Sequence, residues 1–131
     1  IGHSDADVVL HAITDALLGA VCEGDIGRLF PDDRSENKDR DSRDFVNAAI
    51  DRVAGHGMAV VNLDCVILAE RPKMAPHIDA MRKTIAELLA VSIDRVSIKA
   101  KTGEGVGEIG TRQAIAARAV VLLAGRPEPT S

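Results

Sequence analysis

Between Met58 and Lys101 the hydrophobic period changes twice, and that change limits the chain to few folds. Leu63, Cys65 and Ile67 alternate with Asn62, Asp64 and Val66 within Met58 to Ala69, a stretch rich in β-branched residues that predicts a largely buried strand. Arg71 to Pro76 reads as a turn. Ile78, Met81, Ile85 and Leu88 then repeat at helical spacing behind Pro76, which suits the first turn of a helix. Val96 to Lys101 alternates again, with Val96, Ile98 and Ala100 on one face and Ser97, Lys99 and Lys101 on the other. Strand, helix and strand at this spacing imply a right-handed parallel crossover. The class is therefore α/β.

The flanking segments fill in the architecture. Asp5 can cap a first helix whose apolar residues Val8, Val9, Ala12, Ile13, Ala16, Leu17, Ala20 and Val21 form an inward stripe. Glu23 to Arg28, with two glycines around Asp25, reads as a turn. Asp32 to Asp44 is dense in charge and reads as a solvated loop. Ser42 can cap a second helix with Val46, Ala49, Ile50 and Val53 on its apolar face, stopped by Gly55 and Gly57. Thr102 to Gly110 holds four glycines and is a loop. Gln113 to Ala124 is ambiguous: its alanines favour helix, its alternation and valines favour strand, and we read a strand returning antiparallel. Arg126 to Ser131 is a tail. The expected fold is a single domain over residues 1–131, a mixed β-sheet with helices packed on one face. A sheet face left without helices needs another cover. With two Phe and no Trp or Tyr, the small aliphatic interior also leaves room for stabilisation by association.

Charge and composition narrow the partners. A formal charge of -4 with no basic cluster and no aromatic platform argues against nucleic acid. No apolar run reaches the length of a membrane span, and no signal peptide is visible. Cys22 and Cys65 stand apart in apolar surroundings, as reduced buried thiols do, so a bacterial cytosol or a plastid stroma is the expected location.

Three places carry candidate chemistry. Asp7, His11 and Asp15 recur every four residues, so an imidazole lies with a carboxylate one turn to either side. Such carboxylates fix the tautomer of a ligating histidine, or they are merely exposed pairs worth a few tenths of a kcal/mol (about 0.2–1) each. Thr102-Gly103-Glu104-Gly105-Val106-Gly107 follows a strand as a phosphate-binding loop does, without the Lys-Ser/Thr ending of a nucleotide-triphosphate loop. A hairpin connection is the plainer reading. Lys73 lies between a strand's end and a helix start, where a cation beside free backbone N–H groups attracts an anion; a solvated surface lysine is the commoner meaning. His56 and His77 are read as surface histidines.

Taken together, His3-Ser4-Asp5, His11 and Asp15, Gly24-Asp25-Ile26-Gly27 with Phe30-Pro31-Asp32, Ala69-Glu70-Arg71-Pro72-Lys73-Met74 and Lys99-Ala100-Lys101-Thr102-Gly103-Glu104 resemble the 2-C-methyl-D-erythritol 2,4-cyclodiphosphate synthase family over nearly the whole chain. The resemblance implies a homotrimer with each active site between adjacent subunits, and a cytidine diphosphate substrate that cyclises with release of CMP. It implies divalent cations: zinc or manganese at His11, with Asp7 and Asp15 behind it, and magnesium or manganese at Glu104. Thr102 would position phosphates, with His3 and Ser4 beside the substrate phosphate. Asp25 and Gly27 would contact the methylerythritol hydroxyls, and Ala69, Lys73, Met74, Ala75 and Ala100 the nucleotide. The charged loop after Pro31 would be a lid.

The family's Asp-x-His pair, which completes the first metal site, has no counterpart here, so it and the first strand of the sheet are expected upstream of Ile1. Lys101 replaces a common Thr and adds positive charge near the phosphates. Glu108 to Ala114 replaces the run that lines the trimer's central cavity in relatives, so a prenyl diphosphate there does not carry over. The alternative to an enzyme is a trimeric nucleotide- or metal-binding module that keeps the scaffold without the first metal.

Overall fold

A computed structural model describes residues 2–30, 41–69, 75–101 and 116–126, with the side chains of residues 2–5 and 75 left out. Its elements are helices α1 (Gly2–Ala20), α2 (Ile26–Leu29), α3 (Ser42–Gly55) and α4 (Ile78–Leu89), and strands β1 (Met58–Leu68), β2 (Val96–Lys101) and β3 (Ala116–Gly125). Short 3-10 turns at Ala75–His77 and Ile93–Arg95 lead into α4 and β2.

The sheet has the order β2-β1-β3. β1 and β2 run parallel, Leu63 opposite Val96 through Leu68 opposite Lys101, and α4 makes the crossover between them. β3 returns antiparallel to β1, with an irregularity between Val60 and Asn62. The ambiguous Ala/Val segment is thus a strand. Its alanines are tolerated because Ala117 and Ala119 sit against the core, where a helix approaches closely.

One face of the sheet is covered. Leu63, Cys65 and Ile67 of β1 and Val96 and Ile98 of β2 are buried with Val9, Ile13, Leu17 and Leu18 of α1, Val46, Ala49 and Val53 of α3, and Ile85, Ala86 and Leu89 of α4. α1 packs along β3 and against α3. Among the described residues no helix covers the other face, where Val120 and Leu122 of β3 are 71% and 55% exposed. Between strands, Asp64 of β1 meets Lys99 of β2 at 2.9 Å, and the ammonium holds that carboxyl below the usual carboxylate range.

Several expectations are corrected. α1 begins at Gly2, so Asp5 lies within the helix rather than capping it. An acidic residue in the first turn complements the helix dipole, and nothing between Gly2 and Asp5 breaks the helix. The buried stripe is rotated toward Leu10, Thr14 and Leu18, with the Thr14 hydroxyl satisfied by the Leu10 carbonyl at 2.8 Å, while Ala20 is exposed. The turn after Glu23 contains the short helix α2, which Asp25 caps through the Arg28 N–H. Asp41, not Ser42, caps α3, and Asp44 belongs to that helix rather than to the loop before it. Cys22 is exposed in a left-handed turn with φ 60, whereas Cys65 is buried and its thiol is pushed up to about 11 by desolvation.

α4 ends on Ala90 at φ 57 and ψ 44, a left-handed position that a Cβ disfavours. Ala90→Gly is expected to stabilise the fold by about 0.5 kcal/mol, the relief of that strain outweighing the extra freedom glycine has when unfolded. Thermal unfolding of the two proteins checks it.

Candidate active site

The site face of α1 is set by the helix register. With Val9, Ile13 and Leu17 turned into the core, His11 and Asp15 point outward, toward the start of α3 and toward α2. His11 is exposed, and its ring is held from two sides. Nε2 lies 3.2 Å from the Ser42 hydroxyl, and the Phe45 ring sits 5.4 Å away, centroid to centroid, tilted by 54°. Phe30, from the end of α2, stacks in turn on Phe45 at 4.8 Å.

The two carboxylates one turn from His11 have different tasks. Asp7 accepts a 2.8 Å hydrogen bond from the Ser42 hydroxyl, and so stands behind His11 through one intervening oxygen. Asp15 instead accepts from the Ile26 N–H at 2.8 Å. That bond ties the start of α2 to α1, and with it Asp25 and Gly27, both exposed. Asp25 Oδ1 accepts from the Arg28 N–H at 3.0 Å, so the carboxylate that caps α2 is also at the surface beside α1. The order Asp7–Ser42–His11 is not that of a hydrolytic triad. The Ser42 proton goes to a carboxylate rather than to the imidazole, and the hydroxyl is buried.

A second group lies at the carboxyl ends of the parallel strands, where open α/β sheets place their ligands. Ala69 is buried just after β1 and donates its N–H to the Lys101 carbonyl at 3.0 Å, which fixes the ends of β1 and β2 together. Ala100 and Lys101 are exposed there. Ala75 opens the 3-10 turn into α4. Lys73, Met74, Thr102 and Glu104 lie outside the described residues, as does the charged segment 31–40; His3 and Ser4 are in the first turn of α1, their side chains undescribed. Among the described residues, none of the hydrogen bonds given above for His11, Ser42 and Asp15 reaches Ala69, Ala100 or Lys101.

Among the described residues no three His, Cys, Asp or Glu side chains come together as a metal cage. His11 has the chemistry of one ligand: an exposed imidazole with one nitrogen held by a hydroxyl and, behind it, a carboxylate. The remaining ligands of any such site are not among the described side chains. Sequence reasoning missed Ser42 and Phe45 as neighbours of His11. The available signal was the pair Asp41-Ser42, two capping residues in succession, of which a helix uses one.

A mixed, open α/β sheet carries a braced imidazole on one helix and, at its parallel strand ends, the exposed Ala100 and Lys101, where α/β folds of the ligand-binding class place their sites. The sequence matches the YgbB family over residues 1–124. It is 63% identical over 126 residues, 96% of this chain and 76% of the relative, to 2-C-methyl-D-erythritol 2,4-cyclodiphosphate synthase of Rhodopirellula baltica. The enzyme of the same name from Trichlorobacter lovleyi is 53% identical over 123 residues, with 94% and 78% covered. The bifunctional IspDF of Campylobacter jejuni superposes with a TM-score of 0.85 at 36% identity, over 88% of this chain and 31% of that one. A synthase structure in its CDP-bound form superposes at 0.81 and 36% identity, covering 88% and 74%. The chain belongs to the YgbB family of 2-C-methyl-D-erythritol 2,4-cyclodiphosphate synthases.

Proposed function

We propose that the chain cyclises 4-diphosphocytidyl-2-C-methyl-D-erythritol 2-phosphate to 2-C-methyl-D-erythritol 2,4-cyclodiphosphate, an intramolecular phosphoryl transfer of non-mevalonate isoprenoid synthesis. One observation carries the reading: 63% identity to a synthase of that name across almost the entire chain. In the reaction an oxygen of the 2-phosphate bonds to the β-phosphorus of the diphosphate. The bond from that phosphorus to the bridging oxygen breaks, and CMP leaves with the electron pair.

The nucleophile is already an anion, so little proton transfer is needed. The protein's work is to bend the substrate into line and to offset phosphate charge. We assign Asp25 and Gly27 to the methylerythritol hydroxyls, held in place by the Asp15 bond to Ile26. Ala69, Lys73, Met74, Ala75 and Ala100 are assigned to the cytidine and its phosphates, Lys101 and Thr102 to the phosphate groups, and His3 and Ser4 to the neighbouring phosphate. His11 and Glu104 are assigned as ligands of divalent cations, zinc or manganese at the first and magnesium or manganese at the second. When bound, such cations supply Lewis-acid polarisation of the attacked phosphate.

Each site is assigned to the boundary between subunits of a homotrimer. The two exposed apolar residues Val120 and Leu122 on the sheet face opposite the core support that assembly. Among the described residues no helix is long and apolar enough to cross a membrane. We place the enzyme in a bacterial cytoplasm or a plastid stroma.

The test is direct. The full-length protein, supplied with zinc and magnesium, is expected to convert the substrate stoichiometrically to the cyclic diphosphate and CMP, followed by phosphorus NMR and nucleotide chromatography. Binding of CDP without turnover would instead mark a non-catalytic nucleotide-binding module.

A further inference from the structure

Ser42 is 6% exposed, and α3 does not need its hydroxyl, because Asp41 caps that helix through the Arg43 N–H. The hydroxyl instead stands between two site groups, 2.8 Å from Asp7 Oδ1 and 3.2 Å from His11 Nε2. A serine has a single hydrogen to give, and an ionised carboxylate only accepts. The hydrogen therefore lies toward Asp7, and Ser42 Oγ meets Nε2 with a lone pair. Only a protonated Nε2 satisfies that contact. A neutral ring protonated at Nε2 carries its free electron pair at Nδ1, and the Phe45 ring 5.4 Å away limits how far the imidazole can turn.

We propose that Ser42, backed by Asp7, is a positioning residue for the reaction: it locks His11 as the Nε2–H tautomer and leaves Nδ1 as the nitrogen offered to the divalent cation. The proposal rests on the assignment of His11 as a metal ligand. A hydroxyl relaying a carboxylate to a ligating histidine serves the purpose that a direct carboxylate partner serves in other metal sites. It also explains why a buried serine at the first position of α3 makes its bonds to α1 rather than to its own helix.

Long-range proton–nitrogen correlation spectra of the 15N-labelled full-length protein, recorded well above the ordinary histidine pKa of about 6.5, read the tautomer directly. The wild type is expected to show a pyrrole-type Nε2 and a pyridine-type Nδ1 at His11. Asp7→Ala frees the serine hydrogen to point at Nε2 and is expected to move the ring toward the Nδ1–H form. Ser42→Ala is expected to give a mixture, and Ser42→Thr to restore the wild-type pattern. Zinc added to the wild type is expected to shift Nδ1, with affinity falling about 10–100-fold in Ser42→Ala and kept in Ser42→Thr. Should Ser42→Ala fail to fold, Asp7→Ala and Ser42→Thr carry the comparison. A wild-type ring protonated at Nδ1, or a tautomer indifferent to both Asp7→Ala and Ser42→Ala, overturns the positioning role. A locked tautomer whose Nδ1 does not respond to zinc overturns the metal-ligand assignment, and the role with it.

Discussion

His11→Ala is expected to lower CMP release by at least about a hundredfold while leaving the fold intact. Loss of a group behind a metal ligand costs about 10–100-fold, and loss of the ligand itself removes more. The side chain is exposed on α1, and the packing of that helix rests on Val9, Ile13, Leu17 and Leu18, so truncation opens no core cavity. Circular dichroism is expected to be unchanged, with zinc affinity and turnover lost together. An alanine variant within tenfold of wild type would take His11 out of the mechanism.

Val120→Asp combined with Leu122→Asp is expected to turn the proposed trimer into monomers and to abolish turnover with it. The two side chains stand on the sheet face that no described helix covers, 71% and 55% exposed, opposite Asp64 and Asn62 of β1. Full burial of such a side chain contributes about 1.5–3 kcal/mol, counted again in every subunit. A carboxylate at either position removes that gain and adds the cost of taking a charge out of water. The monomer itself is expected to survive, because its core lies on the opposite face. Light scattering coupled to size exclusion reads the mass. A double variant that stays trimeric would place the interface elsewhere.

How far the sequence could be read depended on the kind of force that shapes each part. β2 was legible to the residue, and β1 nearly so, because alternation with β-branched side chains records which face is buried. The parallel pairing of β1 and β2 across α4 followed from the strand, helix, strand spacing. The ends of helices were less legible. Asp41 and Ser42 are equally good caps in isolation, and only the position of Asp7 across the α1–α3 contact decides which hydroxyl or carboxylate goes where. Asp15 shows the same limit. Its spacing from His11 is that of a helical pair, yet the Ile26 N–H, eleven residues on, takes its oxygen. The stripe on α1 was misplaced by part of a turn because Thr14 counts as polar by type, while in the fold its hydroxyl returns to the Leu10 carbonyl and lets it go inside. Bonds between distant segments leave no local pattern to read.

The packing of α1 along β3 joins the first described element to the last. Contacts between such remote parts of a chain close late and slow folding. During synthesis, the helix that carries His11 must therefore wait until β3 has left the ribosome before it finds the strand it rests on. A prematurely terminated chain would present that helix with its apolar side unprotected, a substrate for chaperones and proteases rather than for chemistry.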